Sequence, residues 1–134
     1  MFELDEFLHH FGRVRERTRR VAACIPEDQV EWTYKPGAFT LGDLVRHIGV
    51  TERFIWAETV HNRPSSYRTH GRELADGHDA VLAFLDRMHD ESMALFRALT
   101  PEMLVRLDRA WRAVQDELLP RLWQHLTRRA GEET

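Results

Sequence analysis

Apolar residues recur at three- and four-residue intervals in four stretches of this chain, each closed by proline, glycine or a polar loop. The first runs from Leu4 through Phe7, Leu8, Phe11, Val14, Thr18, Val21 and Ala22 to Ile25, where Pro26 stops it. Thr40 can cap the second, with Asp43 three residues on completing a capping box, and the periodicity then holds to about Asn62. The third starts at Asp76-Gly-His-Asp and carries Val81, Leu82, Leu85, Met88, Ser92, Leu95, Phe96 and Leu99. That stripe is wide enough to face two neighbours and leaves apolar surface for a partner. Thr100-Pro101 reads as a stop and restart, because threonine caps well and proline suits the first helical position. From Met103 to about Ala130 one face gathers Trp111, Val114, Leu118, Leu122, His125 and Leu126, and Pro120 must kink this segment or split it near Leu119. No stretch shows strand-like alternation. The pattern predicts an all-α fold, an antiparallel four-helix bundle, in a single domain over residues 1–134.

Composition narrows the functional classes. The chain has a hydrophobic fraction of 43% and a formal net charge of −3, so the molecule as a whole does not attract nucleic acid or an anionic membrane. The dense basic run Arg13, Arg15, Arg17, Arg19 and Arg20 falls on two sides of a helix instead of forming one stripe, which reads as solvated surface. Neither a nucleic-acid partner nor a membrane is expected. One cysteine, Cys24, rules out an internal disulfide and any Cys-x-x-Cys pair, and the first residues, Met-Phe-Glu-Leu-Asp-Glu-Phe, are acidic where a signal peptide is basic. A cytoplasmic location is the expectation.

Chemistry concentrates between Trp32 and Trp56. An aromatic loop with a Pro36-Gly37 turn leads into the second helix, whose apolar stripe is read as Leu44, Leu41, Val45, Ile48, Ile55 and Thr59. Glu52 falls inside that stripe, where a carboxylate must meet a cation or hydrogen-bond donor, bind a metal, or take up a proton. Pairing with an arginine or an indole N–H is the simplest outcome. His47 sits on the flank near Thr51, Phe54 and Glu58, and His125 within the stripe of the last helix. Imidazoles on two helices can converge on a metal in a bundle core, although a stable site needs about three protein donors. The other histidines, His9, His10, His61, His70, His78 and His89, read as surface or boundary residues. No Gly-x-Ser-x-Gly elbow, phosphate loop or His-Glu-x-x-His motif is present.

The run Phe39-Thr-Leu-Gly-Asp-Leu-Val-Arg-His-Ile, followed by Thr51-Glu-Arg-Phe-Ile-Trp, resembles the second-helix signature of the DinB/YfiT-like four-helix-bundle superfamily. The segment from Leu74-Ala-Asp-Gly-His-Asp-Ala to Leu99-Thr-Pro-Glu-Met-Leu is similar to that family's third helix and the start of its next segment. The resemblance implies a divalent metal, nickel or zinc, held by one histidine of the second helix and a His-x-x-x-His or Glu-x-x-x-His pair of the last. Carried over, the ligands are His47 and His125. Arg129 falls where the third would stand, and a permanently protonated guanidinium cannot ligate a metal, so water, Glu52 or Glu132 would have to replace it.

Relatives in this family include mycothiol-dependent maleylpyruvate isomerase and thiol S-transferases. The resemblance therefore implies a metal-dependent hydrolase or thiol S-transferase acting on a small thiol or other small molecule. The alternative is a non-catalytic bundle that has lost the metal site and serves as a binding or stress-associated protein. A homodimer is expected in either case.

Overall fold

The computed structural model describes residues 3–132, apart from the side chains of Trp111, Gln115, Leu126 and residues 129–132. Every regular element among the described residues is helical, so the fold is all-α as the periodicity predicts. None of these helices is long and apolar enough to cross a membrane. The chain divides into two units, Leu4–Leu99 and one that begins at Thr100.

Three helices build the first unit. They are α1 (Leu4–Ala23), α2 (Leu41–Thr51) and α3 (His78–Arg97); α2 runs on through a π-helical turn (Glu52–Trp56) and a last α-helical turn (Ala57–Thr59). The predicted capping box starts α2: the Asp43 N–H donates to Thr40 Oγ1 at 2.9 Å and the Thr40 N–H to Asp43 Oδ2 at 3.1 Å. Gly37, at φ +80°, supplies the left-handed residue the Pro-Gly turn requires. The third helix packs on both of the others. Its stripe is spent there, with Val81, Leu82, Leu85, Met88, Ser92 and Phe96 all buried, and the apolar surface expected to remain on it for a partner is not free.

The buried face of α2 is rotated from the one its large apolar residues mark. Gly42, Val45, Arg46, Gly49 and Val50 are buried, whereas Leu44 and Ile48 are 47% and 38% exposed. Small residues let backbones approach: a Cβ on Gly49 would sit 3.2 Å from Met88 Cγ, and one on Gly42 2.8 Å from Val30 Cγ1. Leu44 and Ile48 instead line an apolar groove of about 490 Å³ between α1 and α2, together with Val14, Val21 and Ile25.

The second unit is one run of helix. It comprises α4 (Pro101–Ala113), a π-helical turn (Val114–Leu118) and α5 (Leu119–Glu132). Thr100 and Pro101 act as read from the sequence, Pro101 being the first helical residue and the Met103 N–H reaching Thr100 Oγ1 at 3.4 Å. Pro120 does not split the segment. It is the second residue of α5, just past the π-turn, within the first turn of a helical segment, where the lack of an N–H is best tolerated.

Candidate functional site

Two successive residues of α2, Arg46 and His47, organise the polar side of the first unit. Arg46 is fully buried, and all five of its N–H donors are used. Nε donates to the His70 carbonyl at 3.0 Å; Nη1 donates to Glu31 Oε1 and the Ala75 carbonyl, each at 2.9 Å; Nη2 donates to Glu31 Oε2 at 3.0 Å and Asp43 Oδ1 at 2.8 Å. These bonds tie both connecting loops to α2. The Arg46 hydrogen bonds hold the Glu31 carboxyl below its ordinary range. At Asp43 burial pushes upward, but the bonds from Arg46 and Thr40 outweigh it and the net shift is also downward. Burial likewise opposes the charge on Arg46, yet Glu31 and Asp43 more than compensate and its pKa is raised.

His47 turns towards the same loop through its side chain. Its Nδ1 lies 3.0 Å from Tyr67 Oη, and that oxygen lies 2.6 Å from His70 Nδ1. Phe39 closes the cluster, with its ring centroid 4.3 Å from that of His70 and 5.4 Å from that of His47. All three hydrogen-bonding rings are half-buried. Among the described residues, His47 Nε2 meets no hydrogen-bond partner.

A second polar group lies inside the unit. Glu52, the first residue of the π-turn, is fully buried and forms an ion pair with Arg15 of α1, while His89 Nδ1 of α3 lies 3.0 Å from Glu52 Oε1. Because a carboxylate only accepts, His89 presents Nδ1–H to it. Burial, and then the charge of Arg15, pushes the His89 pKa down. Burial also lowers that of Arg15, whose Nε has no hydrogen-bond partner among the described residues. Glu52 thus pairs with an arginine, the simplest of the outcomes read from its position. The assignment of Arg15 to solvated surface is corrected: it is 7% exposed, because Glu52 needs its charge in the interior.

A model of the DinB superfamily matches residues 10–127, a span that takes in both of these polar groups and most of the second unit. The chain belongs to the DinB superfamily. No match was found among curated proteins or solved structures.

In this DinB-superfamily chain His47 lies on α2, beside Tyr67, His70 and Phe39. Two of its neighbours escape a reading of the sequence. His70, which reads as a loop surface residue, is half-buried against Tyr67 and Phe39, and nothing in the sequence singles out Tyr67. His89 reads as a boundary residue, and its bond to Glu52 is likewise unforeseen. His47 belongs to the first unit and His125 to the second, on α5, where the His125 side chain shares an exposed face with Leu118 and Leu122. The side chains of Arg129 and Glu132 lie outside the described residues. Among the described residues, no three His, Cys, Asp or Glu side chains are grouped so as to hold a metal ion.

Proposed function

We propose that this DinB-superfamily chain binds a divalent metal ion, nickel or zinc, with His47 as a ligand. The observation that carries this reading is the state of His47: one ring nitrogen is engaged by Tyr67, and the other meets no partner among the described residues. That is the donor a metal needs. A bound divalent ion supplies Lewis acidity that brings the pKa of a water or a thiol towards neutrality, the chemistry of a metal-dependent hydrolase or thiol S-transferase. The chain's own part is to orient the His47 ring through Tyr67, and to keep Glu52 out of the donor set, since that carboxylate is already occupied by Arg15 and His89.

The test is metal analysis of protein purified without chelator, repeated after nickel or zinc loading and desalting. Retained metal that is lost in His47→Ala is the expected result. Protein that retains neither ion after loading rejects the proposal.

A second reading, a non-catalytic homodimer, draws on the groove between α1 and α2, where Val14, Val21, Leu44 and Ile48 are exposed side by side. Sedimentation showing a clean monomer counts against it. A metal-free dimer whose melting temperature ignores His47→Ala favours it over the enzyme.

A further inference from the structure

We propose that Tyr67 and His70 are positioning residues that hold His47 as the tautomer protonated at Nδ1, so that Nε2 keeps its lone pair for a ligand. This rests on the metal reading above for the identity of that ligand, but the tautomer itself follows from geometry.

Tyr67 Oη faces Nδ1 of both imidazoles. A phenol has one proton to give. Two neutral rings that meet it through Nδ1 therefore cannot both accept, and if both donated, the phenol O–H would meet no acceptor among the described residues. With every group satisfied, one ring takes the phenol proton, the other donates its own to the phenol oxygen, and the two histidines are opposite tautomers. The distances say which is which, because an O–H donor approaches its acceptor more closely than an N–H donor does. The 2.6 Å contact to His70 is the phenol donating, and the 3.0 Å contact to His47 is an imidazole N–H donating to the phenol. His47 is left with Nδ1–H and a bare Nε2; His70 carries its proton on Nε2.

The His70 backbone is fixed by the bond from the buried Arg46 guanidinium to its carbonyl at 3.0 Å, and Phe39 lies against both rings, so turning either imidazole costs its contact with Phe39 and its bond to Tyr67. Metal-binding histidines characteristically donate their second ring N–H to an oxygen acceptor, which fixes the ring and raises the basicity of the ligating nitrogen. Here that acceptor is a phenol, and the bond it passes on to His70 polarises it further. The link His47 to Tyr67 to His70 prepares the donor before any ligand arrives.

The deciding measurement is a long-range proton–nitrogen NMR correlation on the metal-free, whole chain, at a pH where both rings are neutral. His47 is expected to show protonated Nδ1 and bare Nε2, with His70 the reverse; His47 protonated at Nε2 overturns the proposal. Tyr67→Phe keeps the ring and removes the hydroxyl. It should release His47 from its single tautomer and weaken zinc binding, followed by calorimetry with the metal alone, by about 10- to 100-fold. His70→Leu should act in the same direction, and His70→Asn, whose side-chain oxygen falls near the place of Nδ1, should restore the tautomer. A merely structural role would lower thermal stability and leave the tautomer unchanged, which also overturns the proposal. If Tyr67→Phe does not fold, the wild-type spectrum decides alone. Zinc binding by a His47 of the opposite tautomer sinks the positioning role only, whereas the expected tautomer in a protein that binds no zinc sinks the metal reading only.

Discussion

Arg15 and Glu52 form an ion pair inside the first unit, joining α1 to the start of the π-turn, with His89 of α3 on the second carboxylate oxygen. The Glu52 side chain is fully buried and that of Arg15 is 9% exposed. Two charges so placed lose much of their hydration, and their mutual attraction offsets that loss only while both are present.

Removing one partner is therefore expected to cost more than removing both. Glu52→Leu or Arg15→Met alone should destabilise the protein by about 3–5 kcal/mol, because each strands a buried charge. The double variant should recover most of that loss. Urea unfolding measures all three, and single variants as stable as wild type would show that the pair is not a unit.

His89 should make stability depend on pH near neutrality. Its folded pKa is pushed below the ordinary 6.5 by burial first and by Arg15 second. As pH falls through 6.5, the unfolded chain takes up a proton that the folded chain refuses, so this contribution to stability falls with falling pH and levels off below the folded value. His78 works in the opposite sense, its pKa being raised chiefly by the hydrogen bond to Asp79, so it stabilises at low pH and loses that effect as pH rises. The difference between wild type and His89→Gln isolates the first effect. We expect it to shift against wild type as pH is lowered from about 7 to about 5, and a flat difference contradicts the assignment.

Arg46 should dominate the acid limb. Glu31 and Asp43 both titrate below their ordinary values, so the stability they confer is present above about pH 4.5 and is lost as pH falls through their folded pKa values. Arg46→Met removes the main cause of that depression, leaving only the Thr40 bonds, and leaves the His70 and Ala75 carbonyls without their donor. We expect a loss of about 3–5 kcal/mol at neutral pH and a shallower fall on acidification. Arg46→Lys should recover little, because an ammonium has three donors where five are used. Unfolding midpoints across pH for the three proteins check this.

How far these features are legible in the sequence depends on what each signal measures. The capping box at Thr40 and Asp43, the stop at Pro26 and the restart at Pro101 are local chemistry, and the structure follows them. The buried face of α2 is easily misjudged, because large apolar residues carry weight in a periodicity and glycines do not. At about 100° per residue, Gly42 and Gly49 lie nearly in line, and they mark the face where Val30 and Met88 come closest. Once that face is recognised, Arg46 lies on it, and the Leu-Val-Arg-His run becomes a buried arginine beside an accessible histidine. Tyr67 and His70 have no such signal. They sit in an irregular loop with no period, and only the tertiary bonds from Arg46 and to His47 bring them to the site.

Two glycines of this molecule should respond in opposite directions to the same substitution. In a helix, alanine is favoured over glycine by about 1 kcal/mol when nothing opposes it. A Cβ added to Gly12 of α1 would meet no atom within 4 Å, so Gly12→Ala should stabilise by about 0.4–1 kcal/mol. At Gly42 the added carbon would lie 2.8 Å from Val30 Cγ1 and 3.0 Å from the Val30 carbonyl oxygen. That oxygen cannot retreat freely, because it accepts the Gly42 N–H at 2.6 Å, the bond that fixes the loop to the first turn of α2. The steric term, about 1–3 kcal/mol for overpacking, should outweigh the helix preference and make Gly42→Ala destabilising. Thermal melts of the two variants decide the matter, and a stabilised Gly42→Ala would mean that the Val30 loop is held by something other than its contact with α2.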